Sequence, residues 1–181
     1  MNAFVAAALA ALLHITPTVI LVKTPDVVRR LAPGADAFFE REVHLSDPDA
    51  HKLHEAVDWS PADDVLKFYS AKHGTTLVSV MEFVRVDTPH GPVEVDVGFS
   101  TEGKISGVVI SKATVETKPW VEEAIAAGLT EAYVGLAPAG RPAGADAIAA
   151  KSGDLPHYMA QEVDKGVARA LAAYGDFYRA E

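Results

Sequence analysis

The sequence predicts an α+β fold, an antiparallel β-meander packed against helices and preceded by an N-terminal hydrophobic anchor or signal segment. Three observations support this prediction. Apolar residues alternate with Glu, Asp and Gly over residues 93–99, the pattern of a half-buried strand. Short turn sequences such as TEGK separate consecutive strand-like stretches, which favours antiparallel neighbours. Near the end of the chain, residues 156–177 have the apolar spacing of an amphipathic helix.

The N-terminal segment, residues 2–22, carries no formally charged side chain. About twenty apolar residues cross a hydrocarbon core of roughly 30 Å, so a retained membrane anchor is one interpretation. A cleaved signal peptide is a second, although no Lys or Arg precedes the apolar run. A buried core helix, which Pro17 would break early, is the third. We therefore divide the chain into an anchor or uncleaved signal segment, residues 1–22, and a folded domain, residues 23–181.

The first part of the domain predicts two helices with a strand between them. Residues 25–31 form a short helix with Thr24 as its N-cap and proline in its first position. A strand over residues 38–43 follows. The second helix begins at Ser46 or Asp47, either of which can cap it.

The rest of the domain predicts the meander and two more helices. Gly and Pro in the intervening turns separate four strands, over residues 65–71, 76–87, 93–99 and 105–111. The helices follow over residues 120–127 and 156–177, and the segment between them, rich in Pro, Gly and Ala, is predicted to be a loop.

Composition excludes several classes of function. A formal net charge of −9 argues against a nucleic-acid partner, since neutralising phosphates requires clustered Lys and Arg. The absence of cysteine rules out disulfides, thiolate metal ligands and a cysteine nucleophile. We find no G-x-S-x-G elbow, P-loop or G-x-G-x-x-G after a strand. We therefore identify no catalytic residue, and hydrolase, nucleotidase and dinucleotide-oxidoreductase functions have no motif to support them.

The order of these elements resembles a known family. The stretches LAPGADAFFEREVHLSDPDAHKL, LKFYSAKHGTTLVSVMEFV, GPVEVDVGFSTEGKISGVVISKATVETKPW and IAAKSGDLPHYMAQEVDKGVARALAAY together resemble the FMN-binding domain family. Members of that family are flavin subunits of sodium-pumping quinone reductases and of ferredoxin-oxidising membrane complexes, and relatives with the same lead segment are stand-alone extracytoplasmic proteins. The resemblance covers residues 25–178, and it implies a membrane-anchored, extracytoplasmic (periplasmic) domain.

Two motifs of the family have counterparts here. The stretch VETKPW matches an E-T-P-G-like loop, and SGDLPH matches S-G-A-T-x-[ST], in which the family esterifies the threonine with FMN. Ser152 and Gly153 match, but Leu155 stands at the position of the threonine. Because leucine has no hydroxyl, covalent attachment there is impossible. Asp154 is expected to cap the N–H groups of the last helix, which would oppose a phosphate at that position.

The resemblance implies that the loop containing Glu116, Thr117, Lys118 and Trp120 borders a flavin, with Trp120 stacked on its ring and Lys118 near a negative charge. The same residues also fit a structural interpretation, in which Trp120 is a core aromatic residue and Thr117 caps the helix. Two further pairs are weaker candidates. His51 and His54 share a helix face, as metal ligands do, but that spacing more often describes a polar face. Glu94 and Asp96 lie on one face of a strand, which we expect to be its solvated side.

Two functions follow from these observations. The first is an accessory protein of a membrane-associated electron-transfer system that holds FMN non-covalently. The second is a cofactor-free structural subunit of a larger respiratory or photosynthetic membrane complex. In both, the partners are the membrane, through residues 2–22, and subunits of a membrane protein complex. The loop around Thr117 favours the first, and Leu155 with Asp154 favours the second.

Overall fold

The computed structural model describes residues 16–178 and confirms an α+β fold built on a six-stranded antiparallel sheet with the strand order β1-β6-β5-β4-β3-β2. After the short first strand, the strands follow one another as a meander. They are β1 (Thr18–Ile20), β2 (Ala37–His44), β3 (Val65–His73), β4 (Thr76–Val86), β5 (Val93–Phe99) and β6 (Ile105–Thr114).

Five helices accompany the described part of the sheet, and four of them lie close to positions expected from the sequence. They are α1 (Thr24–Leu31), α2 (Asp47–Val57), α3 (Lys118–Ala126), α4 (Gly144–Ile148) and α5 (Asp154–Phe177). Single 3₁₀ turns occur at Ala62–Asp64 and Glu131–Tyr133. Of these helices, α4 was predicted to be loop.

Strand β1 corrects the prediction for the end of the hydrophobic segment. Its Val19 lies opposite Ala113 of β6 in an antiparallel pair, so this part of residues 2–22 belongs to the sheet. Pro17 cannot continue a helix without loss of a hydrogen bond, and the β-branched residues after it favour an extended backbone. The part of the predicted anchor within residues 1–15 lies outside the described residues. Within residues 16–178, no helix is long and apolar enough to cross a membrane.

One face of the sheet, which we call the α5 face, carries the larger core. Helix α5 crosses this face so closely that a Cβ on Gly166 would lie 2.9 Å from Cγ2 of Val95 and 3.0 Å from Cγ2 of Val86. Buried residues of α2, α3 and α4 complete the same apolar cluster. The regular alternation of apolar residues in β4 and β5 supplies the floor of this core.

The opposite face, the α1 face, carries a smaller core beneath a single described helix. Val27 and Leu31 of α1 are buried against Met81 and Val109 of the sheet. Both faces of the central strands are therefore covered, which differs from the one-sided burial that the sequence predicts.

Helix N-termini correct two predicted caps. Ser46 accepts a hydrogen bond from the N–H of Asp49, as expected for an N-cap. Helix α1 instead has Lys23 at its N-cap position, and Thr24 is its first residue. At α5 the N-cap residue is Gly153, and no side chain caps the helix. Asp154 lies within the first turn, where its charge complements the helix dipole, but it does not cap the N–H groups.

Candidate functional site

A cavity of about 400 Å³ lies between α1 and the sheet, within the size range of small-molecule sites. The amino-terminal half of α1 forms its roof, and four neighbouring strands together with Phe38 of β2 form its floor and rim. Its lining combines apolar, aromatic and charged side chains, namely Thr24, Val27, Val28, Phe38, Tyr69, Met81, Phe83, Glu94, Asp96, Ser111 and Lys112.

Asp96 is the most unusual residue of this cavity. It lies on β5 between Phe83 of β4 and Val109 of β6, and its exposed fraction is 0%. Neither of its carboxyl oxygens has a hydrogen-bond partner among the residues that the structure describes. A buried polar group without a partner costs free energy, so its presence calls for a physical reason.

Burial, reinforced by the nearby Glu94, raises the pKa of Asp96 to about 7. Desolvation disfavours the charged carboxylate, and it outweighs the opposing effects of the Ser111 hydroxyl and the Lys112 ammonium. Asp96 therefore changes its protonation state near neutral pH. A carboxyl with this property in a cavity is a candidate for ligand binding or proton exchange.

The polar neighbours of Asp96 are already engaged with one another. Lys112 donates to Oε2 of Glu94 at 2.9 Å, and Ser111 donates to Oε1 of Glu94 at 3.0 Å. Ser111 has a single hydroxyl proton, so it cannot donate to Glu94 and to Asp96 at the same time. The two β-bulges of the β5–β6 pair, after Glu94 and after Gly98, flank the strand segment that carries Asp96.

The prediction that Asp96 lies on the solvated side of β5 is therefore wrong. The alternating pattern predicts that Glu94 and Asp96 lie on the solvated face of a hairpin, but α1 covers that face. A signal existed in Gly98 and Gly107: they lie opposite each other in β5 and β6, and two paired glycines in strand interiors indicate a close approach of another element.

A second buried carboxyl, Glu82, lies on the other face of the sheet. Its exposed fraction is 3%, and Oε2 has no hydrogen-bond partner within the described part of the chain. Burial alone raises its pKa well above the ordinary value. Glu82 borders an open cleft of about 610 Å³ beside Trp59 and Pro61. It provides a buried carboxyl outside the α1 cavity for comparison with Asp96.

The loop between β6 and α3, which carries the predicted site residues, contacts His90, a residue of the β4–β5 loop. Nδ1 of His90 lies 2.9 Å from Oε1 of Glu116. The His90 ring packs edge-to-face against Trp120, at 5.0 Å between ring centroids, and against Tyr158 of α5, at 5.7 Å. The structure therefore brings Glu116 and Trp120 together with the beginning of the last helix.

Thr117 has a structural role at this loop. It is buried, and its hydroxyl lies 2.9 Å from the hydroxyl of Thr114. Oγ1 of Thr114 in turn donates to the carbonyl of His90 at 3.0 Å, and the N–H of Thr114 donates to Oγ1 of Thr117. Thr117 occupies the N-cap position of α3, but its hydroxyl does not cap the helix. It instead bonds to Thr114, whose own hydroxyl reaches the carbonyl of His90 in the other loop.

The other predicted site residues lie near this cluster. Lys118 pairs with Glu122 on α3 at 3.6 Å, Ser152 donates to the carbonyl of Ile148 at 3.1 Å, and the N–H of Gly153 lies 3.4 Å from Oε1 of Glu123. Gly153 thus contacts α3, the helix that carries Trp120, whereas Ser152 bonds to the end of α4.

The histidines of α2 lie beside carboxylates of their own helix. His51 is 3.3 Å from Glu55, and His54 is 3.9 Å from Asp58 at the helix end. Across residues 16–178, no group of three or more His, Asp and Glu side chains could hold a metal ion.

No family model matches the chain, and no curated protein matches it.

Proposed function

We propose that the chain is an FMN-binding-domain-like accessory protein of a membrane-associated electron-transfer system, with FMN held non-covalently beside Trp120 and the start of α5. The observation that carries the proposal is the contact of one ring, His90, with both Trp120 and Tyr158. This contact joins the stretch VETKPW to Tyr158, the residue directly after SGDLPH, and the family resemblance associates these two stretches with a single flavin.

Polar groups at this cluster fit a heterocyclic ligand. Nδ1 of His157 and the hydroxyl of Tyr158 are buried, and neither has a hydrogen-bond partner in the part of the chain that the structure covers. They belong to consecutive residues of α5. An isoalloxazine ring presents donors and acceptors along its edge and a flat aromatic face, which suits the unpaired polar groups of α5 and the indole ring of Trp120.

The beginning of α5 supports a phosphate more than the sequence alone indicates. No side chain caps this 24-residue helix, so Asp154 does not occupy its N–H groups. The helix dipole and the N–H groups of the first turn favour an anion there, although Asp154 and Glu123, which accepts from the N–H of Gly153 at 3.4 Å, place two carboxylates at the same helix end. Lys118 lies on the neighbouring helix with about half of its side chain exposed, and its ammonium group pairs with Glu122 at 3.6 Å.

A cofactor-free structural subunit is the second candidate function. It is favoured by Leu155, whose side chain cannot be esterified, and by the hydrogen bonds that Glu116 and Thr117 already make with His90 and Thr114. In this function the acidic surface and the hydrophobic N-terminal segment would bind subunits of a respiratory or photosynthetic membrane complex. The extracytoplasmic, membrane-anchored location stays a proposal for both candidates.

The absorption spectrum of the full-length chain, purified in detergent, tests the first proposal. We expect flavin bands that survive gel filtration and disappear from the protein fraction after denaturation. Trp120→Ala should release the flavin because it removes the aromatic face. Trp59→Ala is the matched control, since Trp59 borders the cleft near Glu82 and not this cluster.

Three results would argue against flavin binding. They are a colourless protein, no heat of binding when FMN is titrated into it, and equal flavin retention in the Trp120→Ala and Trp59→Ala variants. Copurification of the colourless protein with subunits of a membrane complex would support the structural function instead.

A further inference from the structure

We propose that the cavity under α1 is a second binding site, independent of the flavin proposal, for a small organic cation with an apolar body, such as an arylalkylamine. The ammonium group would donate hydrogen bonds to Asp96, and the apolar body would lie between α1 and the sheet.

The argument begins with Asp96 and its missing partner. Its two oxygens are buried and make no hydrogen bond within the described residues. When ionised, the Asp96 carboxylate accepts hydrogen bonds and does not donate them, so a group that completes the site above neutral pH must carry N–H or O–H donors. A positive charge on that group offsets the cost of burying the carboxylate.

The aromatic lining restricts the ligand further. Phe38, Tyr69 and Phe83 border the cavity, and the last two contact each other edge-to-face at 5.1 Å between ring centroids. Aromatic faces beside a carboxylate attract ammonium groups and also pack against apolar carbon. Val27, Val28 and Met81 supply the remaining apolar surface.

The charges around the cavity also favour a cation. Lys112 is balanced by Glu94 at 2.9 Å, so an ionised Asp96 leaves one uncompensated negative charge. The titratable groups that line the cavity beside Asp96 are Glu94 of β5, Lys112 of β6 and Tyr69 of β3, and none of the lining residues of α1 titrates. An anionic ligand would meet two carboxylates at close range.

Access to Asp96 requires a side chain at the rim to move, because Asp96 has no surface accessible to water. Lys112 lines the cavity and can make this movement. It is long, and 40% of its side chain is exposed. Its ammonium group also competes with a cationic ligand for the same carboxylates, so removing it should strengthen binding.

Isothermal titration calorimetry of the full-length protein with phenethylamine, tryptamine and benzylamine tests this proposal. We expect at least one amine to bind at pH 8. The affinity should fall by about tenfold per pH unit below the pKa of Asp96, because only the ionised fraction is competent. In carbon-detected NMR, the amine should shift the titration of the Asp96 carboxyl to lower pH, a change that a merely structural carboxyl would not show.

Variants distinguish Asp96 from its surroundings. Asp96→Asn should weaken amine binding by about tenfold or more at pH 8 and remove its dependence on pH. Lys112→Ala should strengthen binding. Glu82→Gln, which alters a buried carboxyl outside the cavity, should leave the affinity unchanged, and circular dichroism verifies that each variant is folded.

Three outcomes would overturn the proposal. They are no binding of any of the three amines at millimolar concentration, equal binding by folded Asp96→Asn, and equal binding of the neutral 2-phenylethanol. None of these measurements depends on FMN, so failure here leaves the flavin proposal untouched.

Discussion

Leu31 of α1 packs directly against the backbone of Gly98 in β5: a Cβ at residue 98 would lie 3.1 Å from Cβ of Leu31. Gly107 lies opposite Gly98 in β6, and a Cβ there would lie 3.2 Å from Cδ2 of Leu31. The paired glycines therefore let the carboxyl end of α1 approach the sheet closely. Beneath the amino end of α1 the sheet carries larger residues, including Asp96 and Phe83, and these line the cavity.

The first prediction concerns this contact. Gly98→Ala should lower the free energy of unfolding by about 1–3 kcal/mol, because an added methyl group overpacks a filled position. Leu31→Ala should lower it by about 2–5 kcal/mol through loss of buried surface and formation of a void. In the double variant the new methyl group partly fills the void. The double variant should therefore lose less stability than the sum of the losses in the two single variants. Urea denaturation of all four proteins measures this coupling.

Leu155→Ala is the control for that cycle, because 48% of the leucine is exposed and the change should stay within about 0.5 kcal/mol. Strict additivity of Gly98→Ala and Leu31→Ala would mean that the two residues do not share a contact in solution.

The second prediction concerns pH and Asp96. Its folded-state pKa, about 7, lies above the ordinary value of 3.8, so the folded protein binds the proton more tightly than the unfolded chain does. The contribution of Asp96 protonation to the free energy of unfolding is complete below pH 4, and it is lost as the pH rises toward and through 7. One pKa unit corresponds to about 1.4 kcal/mol, so the loss amounts to as much as about 4 kcal/mol. Asp96→Asn should remove this loss and be more stable than the wild type at pH 8.

Urea denaturation at several pH values between 4 and 8.5 measures this effect. Glu82, whose pKa is also raised by burial, contributes a slope of the same sign, so Glu82→Gln and the double variant separate the two carboxyls. An Asp96→Asn protein with the same pH profile as the wild type would show that Asp96 is not a neutral acid in the folded state.

The sequence predicts some parts of the structure well and others poorly. The strands over residues 65–114 were predicted to within a few residues, since period-2 alternation and turn residues are local signals. The burial of Asp96 was not, because it depends on α1, a helix more than sixty residues away in sequence. The contact between Glu116 and His90 also depends on tertiary structure, and no local pattern marks His90 as a member of that cluster.

The third prediction concerns the hydroxyl of Thr117. Thr117→Val keeps the shape of the side chain but removes its bond to Thr114, and the N–H of Thr114 loses its acceptor. We expect a loss of about 1–3 kcal/mol, the usual cost of a buried donor without a partner. Thr101→Val in the exposed turn is the matched control. Thermal unfolding compares the two variants, and equal melting temperatures would contradict the structural role.

The fourth prediction concerns Asp164 of α5, which connects α5 with α4 and the turn before it. Its Oδ1 accepts from the Tyr133 hydroxyl and from the N–H of Gly144, both at 2.8 Å, and Oδ2 accepts from the N–H of Ala145 at 3.1 Å. Tyr133 is fully buried. Burial, together with the neighbouring carboxylate, raises the pKa of Tyr133, so its hydroxyl stays protonated and continues to donate.

Asp164→Ala should therefore lower the free energy of unfolding by about 3–5 kcal/mol, because it leaves three donors without an acceptor at once. Asp164→Asn should lose less, since the amide oxygen still accepts. Asp146→Ala, on the exposed side of α4, is the control and should change stability by no more than about 0.5 kcal/mol. Hydrogen exchange provides the local measurement: the amides of Gly144 and Ala145 should lose protection in Asp164→Ala and keep it in Asp146→Ala. If both variants protect these amides equally, the carboxylate of Asp164 does not hold the start of α4.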